Sequence, residues 1–400
     1  MSPYPPLATR MSATAVTTMF TVNGMLLGGF GGSLPSLREK VGIDATHVAI
    51  VLFCAGAAGI LSMQIGGRLA DAVGARRVTL LALPILVSGA VTIGLAHSFR
   101  MAVLGAVLIG LGNGAMDVAM NVLGVQVERA RRRPIMSFFH AFFSIGNLIG
   151  AGAVLLMAKL LGITGGSIVT PLMVTLAAIA VIVLAVLIKI TPEAEVMVHT
   201  VDGVRTRIPR AAWVLGVMAL AFGLSEGTAV DWSSLHVTDV AQVDSTTGAV
   251  GLTAVSGFMV VIRLVGDQLV VRFGRRAVVR FGGACAALGY LTVTLVSSLP
   301  LLVSGWALVG LGVGMIAPQV YAVAGHIGGG RVLATVVTFG YAAFLMGPAV
   351  VGFFVDRLGI HHAMAVPAAL CLCIIGLATT MPRTDDDLSS SRARSSFPSE

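Results

Sequence analysis

The residues best suited to chemistry in this chain are a few carboxylates and amides set in apolar stretches. Asn113, Asp117 and Asn121 recur at i, i+4 and i+8, which puts them on one face of a helix. A carboxyl on such a stripe can take up and release a proton, and the flanking amides can hold a polar solute. Glu226 lies in a second apolar stretch, past its middle, and suits either task. Gly227 beside it offers a point where the helix could break. Asp231 and Trp232 follow near the end of that stretch, Asp231 as a gate or solute ligand and Trp232 as an interfacial anchor. His140 opens another apolar stretch, and a His–Asp pair with Asp117 would make a proton relay. Asn23, Gln319, His326 and Tyr341 are candidates for neutral hydrogen bonds to a solute. Gln319 and His326 are seven apart, hence on one face, and Pro318 offers a kink.

No enzyme constellation accompanies them. The chain has no G-x-x-x-x-G-K-[ST] for a nucleotide, no H-E-x-x-H and no G-x-S-x-G. Cys54, Cys285, Cys371 and Cys373 sit in apolar stretches without disulfide or zinc spacing. The expectation is no cofactor, no metal and no catalysis.

The elements that must position these residues are transmembrane helices. Charged residues make up 11% of the 400, and hydrophobic ones 56%; the mean hydropathy is +0.94. A soluble protein carries about 25% charged residues, so a disordered chain and a nucleic-acid-binding domain are excluded. The 49 glycines suit helices that pack closely in lipid. Twelve stretches reach the roughly 20 residues needed to cross a bilayer. They lie near 12–36, 46–69, 76–96, 100–125, 136–160, 166–189, 211–235, 246–270, 277–298, 301–326, 332–354 and 360–381. A β-barrel would show alternating segments of about half that length. The fold class is therefore all-α membrane protein.

Most of the 26 Lys and Arg fall on one side of these spans, with Arg38, Lys40, Arg100, Lys159 and Arg357 on the other. The positive-inside rule then places both termini in the cytoplasm. The net charge of +8 is a topology signal and calls for no nucleic acid or other anionic partner. The organisation reads as a six-helix half over 1–189, a central cytoplasmic loop over 190–210, a second six-helix half over 211–382 and a Ser-rich disordered tail over 383–400.

The halves repeat. After the second span comes Gly67-Arg-Leu-Ala-Asp71-Ala-Val-Gly74-Ala-Arg76-Arg77, and 200 residues later Gly266-Asp267-Gln-Leu-Val-Val-Arg-Phe-Gly274-Arg275-Arg276. Glycines let the helix end pack closely, Asp71 can accept hydrogen bonds from Arg, and the arginines hold one membrane surface. Arg263 and Asp267, at i and i+4, are placed to pair. Such duplication is a common way to build secondary transporters.

Six plus six spans, a central loop and G-x-x-x-D-x-x-G-x-R-R after span two resemble the major facilitator superfamily over nearly the whole chain. The resemblance implies a transport fold of two pseudo-symmetric halves that rock around a small-molecule site. It implies that Gly67, Asp71, Gly74, Arg76 and Arg77, with Arg263, Asp267, Gly274, Arg275 and Arg276, form conformational latches. The chain departs from the usual pattern at Ala72, where Arg is common. GNGAMDVAMN at 112–121, RRRPIMSFFHAFFSIG at 131–146 and EGTAVDWSSL at 226–235 resemble the bacterial YbjJ-like branch, related to fucose-permease-like proton symporters. That likeness implies an essential acid in span four, where Asp117 stands. Ala106 occupies the place where many drug–proton antiporters of the family carry Arg. The reading is a proton-coupled transporter of a small polar solute, in a cell inner membrane, working as a monomer with protons and lipid as its other partners. Efflux of a small organic compound by proton antiport is the alternative, and a membrane sensor a minor one.

Overall fold

A computed structural model describes residues 5–131, 135–193 and 209–381. Among these residues the chain is helical and carries no strand. In order, the helices are α1 (Arg10–Gly32), α2 (Leu34–Val41), α3 (Ala45–Val73), α4 (Ala75–Leu95), α5 (Phe99–Arg131), α6 (Met136–Leu161), α7 (Val169–Ile190), α8 (Arg210–Ala241), α9 (Val250–Phe273), α10 (Arg275–Leu295), α11 (Leu299–Ala363) and α12 (Ala365–Leu377).

Ten segments among the described residues are long and apolar enough to cross a membrane. The polar-flecked α1 and the shorter Ala365–Thr380 segment complete the twelve spans. Helix α11 holds two of them, Leu299–Ala324 and Thr335–Ala363. The Tyr321 hydroxyl lies against Gly340, so the chain doubles back between those spans while its backbone stays helical. Gly359, at φ 76°, lies inside the second of them, which runs on to Ala363. The predicted last span at 360–381 is thus a 13-residue helix with a 3₁₀ turn after it. The expected central loop lies outside the described residues over 194–208, and the expected tail, 383–400, lies outside them entirely.

Large apolar side chains on the outward faces are exposed, Leu81 at 68%, Ile182 at 67% and Leu295 at 77%. In water such a surface would aggregate; in lipid it is the required solvent contact.

The chain divides into two compact units. The first comprises Met1–Val201 with Asp231–Gly257. In it α1 packs on α6, α3 and α4 pack on α5, and α4 packs on α7. Glycines set the distance at these crossings. A Cβ on Gly28 would lie 2.1 Å from the Asn147 carbonyl oxygen, and one on Gly110 2.1 Å from that of Ala55. The contacts run in register, Gly24 to Phe143 and Gly32 to Ala151, so α1 and α6 point the same way. Helices α4 and α5 run oppositely, since Gly89 meets Ile109 and Gly112 meets Leu86. This is the alternation expected of successive crossings. Asp44 caps α3 by accepting the His47 N–H at 2.9 Å. That bond and the His47 ring hold the Asp44 carboxyl below the usual range.

The second unit comprises Asp202–Val230 with Phe258–Glu400. Its core gathers Met218 and Phe222 of α8, Val279 of α10, Ile316 and Val320 of α11 and Ile374 of α12. The α10–α11 crossing repeats the α4–α5 crossing 200 residues on: Gly289 meets Val309, and Gly312 meets Ala286. Glycine stands at 89 and 289, 105 and 305, and 112 and 312. Backbone proximity is therefore what the duplication keeps.

Candidate functional site

In the first unit the polar stripe of α5 forms as its spacing predicts. Asn23 of α1 is fully buried, and its Nδ2 donates to Asn113 Oδ1 at 3.0 Å. Its own Oδ1 is buried with no hydrogen-bond partner among the described residues. Asn121 Nδ2 donates to the Asp117 carbonyl at 2.8 Å and to the Asp117 carboxylate at 3.3 Å. Asn113, Asp117 and Asn121 are partly buried. The close crossings at Gly110, Gly112 and Gly114, one to two turns before the carboxylate, fix which face of α5 carries the stripe. Among the described residues Asn121 is the one side chain bonded to that carboxylate.

His140 is exposed, with its ring edge-on to Phe20 at 5.2 Å. Its height is set by a residue the spacing argument missed. Glu128 accepts the N–H groups of Ile135 and Met136 at 2.6 and 2.9 Å, capping the start of α6 with a carboxylate, as the helix dipole favours. The signal was a lone acid just before the basic run 129–133.

Asp231 also belongs to the first unit and is partly buried. Trp232 departs from its expected interfacial place. Helix α8 runs on to Ala241, so Trp232 is 1% exposed and packs inside the protein. The helix also continues unbroken through Gly227. Its greater length puts Glu226 near the middle of the 32 residues, whereas a span ending at 235 places it past the middle.

In the second unit Arg263 turns to Glu226 across to α8, Nη2 to Oε1 at 3.1 Å, each side chain 15% exposed. The expected partner, Asp267, has a side chain outside the described residues, as has His326. Tyr290 of α10 donates to the Ser225 carbonyl, and the Cys371 thiol to the Ser225 hydroxyl at 3.4 Å, which fixes α8 beside Glu226. Replacing the carboxylate of a buried ion pair by an amide removes the charge attraction between the two side chains. Glu226→Gln is expected to lower stability by about 3 kcal/mol, read as a lower melting temperature in detergent. The double variant Glu226→Gln/Arg263→Gln should recover most of that loss; equal melting of single and double variants would contradict it.

Gln319 accepts from Arg275 Nη1 at 2.7 Å and is 5% exposed. It is engaged by the loop signature. Tyr341 is partly buried in the Thr335–Ala363 span.

The loop signature itself has a clear geometry. Gly74 and Gly274 have φ of 91° and 78°, a left-handed turn that favours glycine, and each starts the next helix. The glycine packed tightly on α5 is Gly66, whose Cβ would meet Ala115 Cα at 2.9 Å, while Gly67 has ordinary room. Asp71 is partly buried and Arg77 exposed. Arg76 donates to the carbonyls of Thr191 and Ile188 at 3.1 and 2.6 Å. Arg276 does the same to the Met381 carbonyl, Nε at 2.6 Å. In each half this arginine caps the end of that half's last span, where unpaired carbonyls and the helix dipole favour a cation. Arg76→Ala is expected to cost about 1 kcal/mol, and Arg276→Ala about as much, seen as a lower melting temperature. No shift in either would remove the capping role.

Comparisons with known proteins agree with this architecture. The family model "Major Facilitator Superfamily" matches residues 16–328 and again 212–399, the second match beginning at the seventh span. The chain is 32% identical over 370 residues to the uncharacterized transporter y4wD of Sinorhizobium fredii, covering 90% of this chain and 94% of that one. It is 28% identical to an uncharacterized MFS-type transporter of Yersinia pestis, covering 91% and 94%. Among solved structures the nucleoside transporter NupG superposes with a TM-score of 0.68 at 13% identity, covering 98% of this chain and 100% of that one. A bacterial homolog of the human lysosomal transporter Spinster gives 0.69 at 14%, covering 97% and 98%. At these identities the structures speak to fold alone. The chain belongs to the Major Facilitator Superfamily and is a multi-pass membrane transporter, not an enzyme.

Proposed function

We propose that this transporter couples proton movement to the passage of a small polar solute, with symport of a sugar-like or other polar metabolite as the favoured direction. The observation that carries this reading is the α5 stripe, a carboxylate bonded by Asn121 with further amides at Asn23 and Asn113, in an otherwise apolar span. An ionisable group in a span is costly and serves a pathway or relay. Asp117 carries the proton. Asn23, Asn113 and Asn121 hold the solute, and Glu226, His140 and Asp231 support the same cycle. The two halves, 1–189 and 211–382, alternate access by rocking, with the arginine-bearing loops latching them at the cytoplasmic face. Both termini lie in the cytoplasm, the membrane is the cell inner membrane, and the working form is a monomer. The distribution of Lys and Arg supports that orientation. Gln319, bound by Arg275, fits the loop signature better than a solute site.

The test has two steps. A thermal-shift screen of small polar metabolites on the purified protein identifies a ligand. Uptake of that ligand into proteoliposomes is then measured with and without an imposed pH gradient. Accumulation that follows the gradient supports the reading, and uptake indifferent to it overturns the coupling.

A further inference from the structure

The end of the first unit opposite Gly74 carries a polar cluster that the loop signature does not explain. Helix α3 separates the two ends: Asp44 starts it and Gly74 follows it. The short helix α2 presents Arg38, Glu39 and Lys40 in succession at the Asp44 end. All three are engaged inside the first unit. Lys40 Nζ donates to the Gly94 carbonyl at 2.6 Å and to Thr170 Oγ1 at 2.7 Å, tying α2 to the ends of α4 and α7. Arg38 and Glu39 reach a different segment. Arg38 forms a two-pronged pair with Asp239 of α8, Nη1 to Oδ2 at 2.6 Å and Nη2 to Oδ1. Glu39 accepts from the Ser245 hydroxyl. Thr246 next to it accepts the Gly165 N–H at 2.7 Å.

Residues 239–246 run from the end of α8 into the connection to α9, and they are grouped with the first unit. The same segment is joined deeper down, where Ser256 donates to Asn147 at 3.1 Å. A planar guanidinium gripping a carboxylate with two parallel bonds fixes orientation as well as distance. At 21% and 28% exposure the pair remains within reach of water, which can take over its bonds when the helices part.

We propose that α2 is a latch on this end of the transporter, with Arg38–Asp239 as its bolt, Glu39–Ser245 as a second catch and Lys40 as its hinge-side anchor. The latch holds the α8–α9 connection against the rest of the first unit, closing the end of that unit opposite its arginine-bearing loop. The inference rests on the alternating-access reading.

The test is a distance measurement that needs no solute. In full-length protein with Cys54, Cys285, Cys371 and Cys373 replaced by Ala, spin labels are placed on Thr46→Cys and Gln242→Cys. Both positions are exposed. Pulsed electron–electron resonance in liposomes is expected to give a short, narrow distribution for the parent. Arg38→Ala and Asp239→Asn should each add a longer population, and the exchange Arg38→Asp/Asp239→Arg should restore the short one. A distribution unmoved by either single variant would overturn the latch. So would a long population that the exchange leaves in place. Should Arg38→Ala fail to fold, Asp239→Asn and the exchange decide the matter alone. A second pair, on Ala72→Cys and Arg280→Cys, separates this inference from the reading beneath it. Lengthening at the first pair with no change at the second leaves the latch standing and removes alternating access.

Discussion

Asp117→Asn is expected to abolish proton-driven accumulation of solute in proteoliposomes, to the level of protein-free vesicles. Exchange of labelled for unlabelled solute should persist. The substitution is nearly isosteric, and its amide oxygen can still accept from Asn121, which bonds the carboxylate at 3.3 Å. The bond from Asn121 Nδ2 to the Asp117 carbonyl at 2.8 Å is to backbone and is untouched. The fold and the solute contacts are therefore kept, and what is lost is a group that titrates. Exchange needs solute binding and the swing between states without net proton movement, whereas accumulation needs the proton. Unchanged pH dependence of uptake in this variant would sink the relay. Loss of both accumulation and exchange would assign Asp117 to solute binding.

The second large effect is structural. Gly28→Val is expected to destabilise the protein by about 3 kcal/mol, the upper range for overpacking a tight contact. The Asn147 backbone stands 2.1 to 2.7 Å from where the Cβ would be. A clash with backbone has no side chain to yield, so α1 and α6 must separate. That shift would also strain the Ser256–Asn147 bond at 3.1 Å. Gly152→Ala supplies the control, since a Cβ there meets nothing within 4 Å. Melting temperatures in detergent should fall sharply for the first and stay put for the second. Similar behaviour of the two would mean that crossing distance does not limit stability here.

The spans, their alternation and the α5 stripe were legible because each rests on a local rule. Apolar length gives a crossing helix, and i, i+4, i+8 spacing gives a shared face. The loop glycines were legible as a repeat read for close packing, whereas Gly74 and Gly274 serve as turns with a backbone that few other residues accept. Partners were harder to read. Arg263 pairs with Glu226, 37 positions away in sequence, and spacing along one helix cannot report a neighbour on another. Trp232 was misplaced because the polar tail of α8, 236–241, hid six further helical residues. Arg38 and Lys40 registered as topology charges, although α2 uses them as contacts.

One pattern was present in the sequence and unread. Glycines at 89, 105 and 112 recur 200 positions later, and they mark the same crossing in both halves. The chemistry does not follow them. Where the first half has Asn113, Asp117 and Asn121, the second has Val313, Ala317 and Tyr321. Packing was kept through the duplication, and the ionisable stripe belongs to one half alone. Under the proposed proton coupling, that asymmetry makes α5 the first place to test.

The central claim is that solute movement carries protons. It is tested most directly by loading proteoliposomes with a pH-sensitive dye, imposing no pH gradient, and adding outside a solute that stabilises the protein. Symport predicts acidification of the lumen that starts with the solute and grows with its concentration. Entry of the solute with no change in lumenal pH would contradict the account.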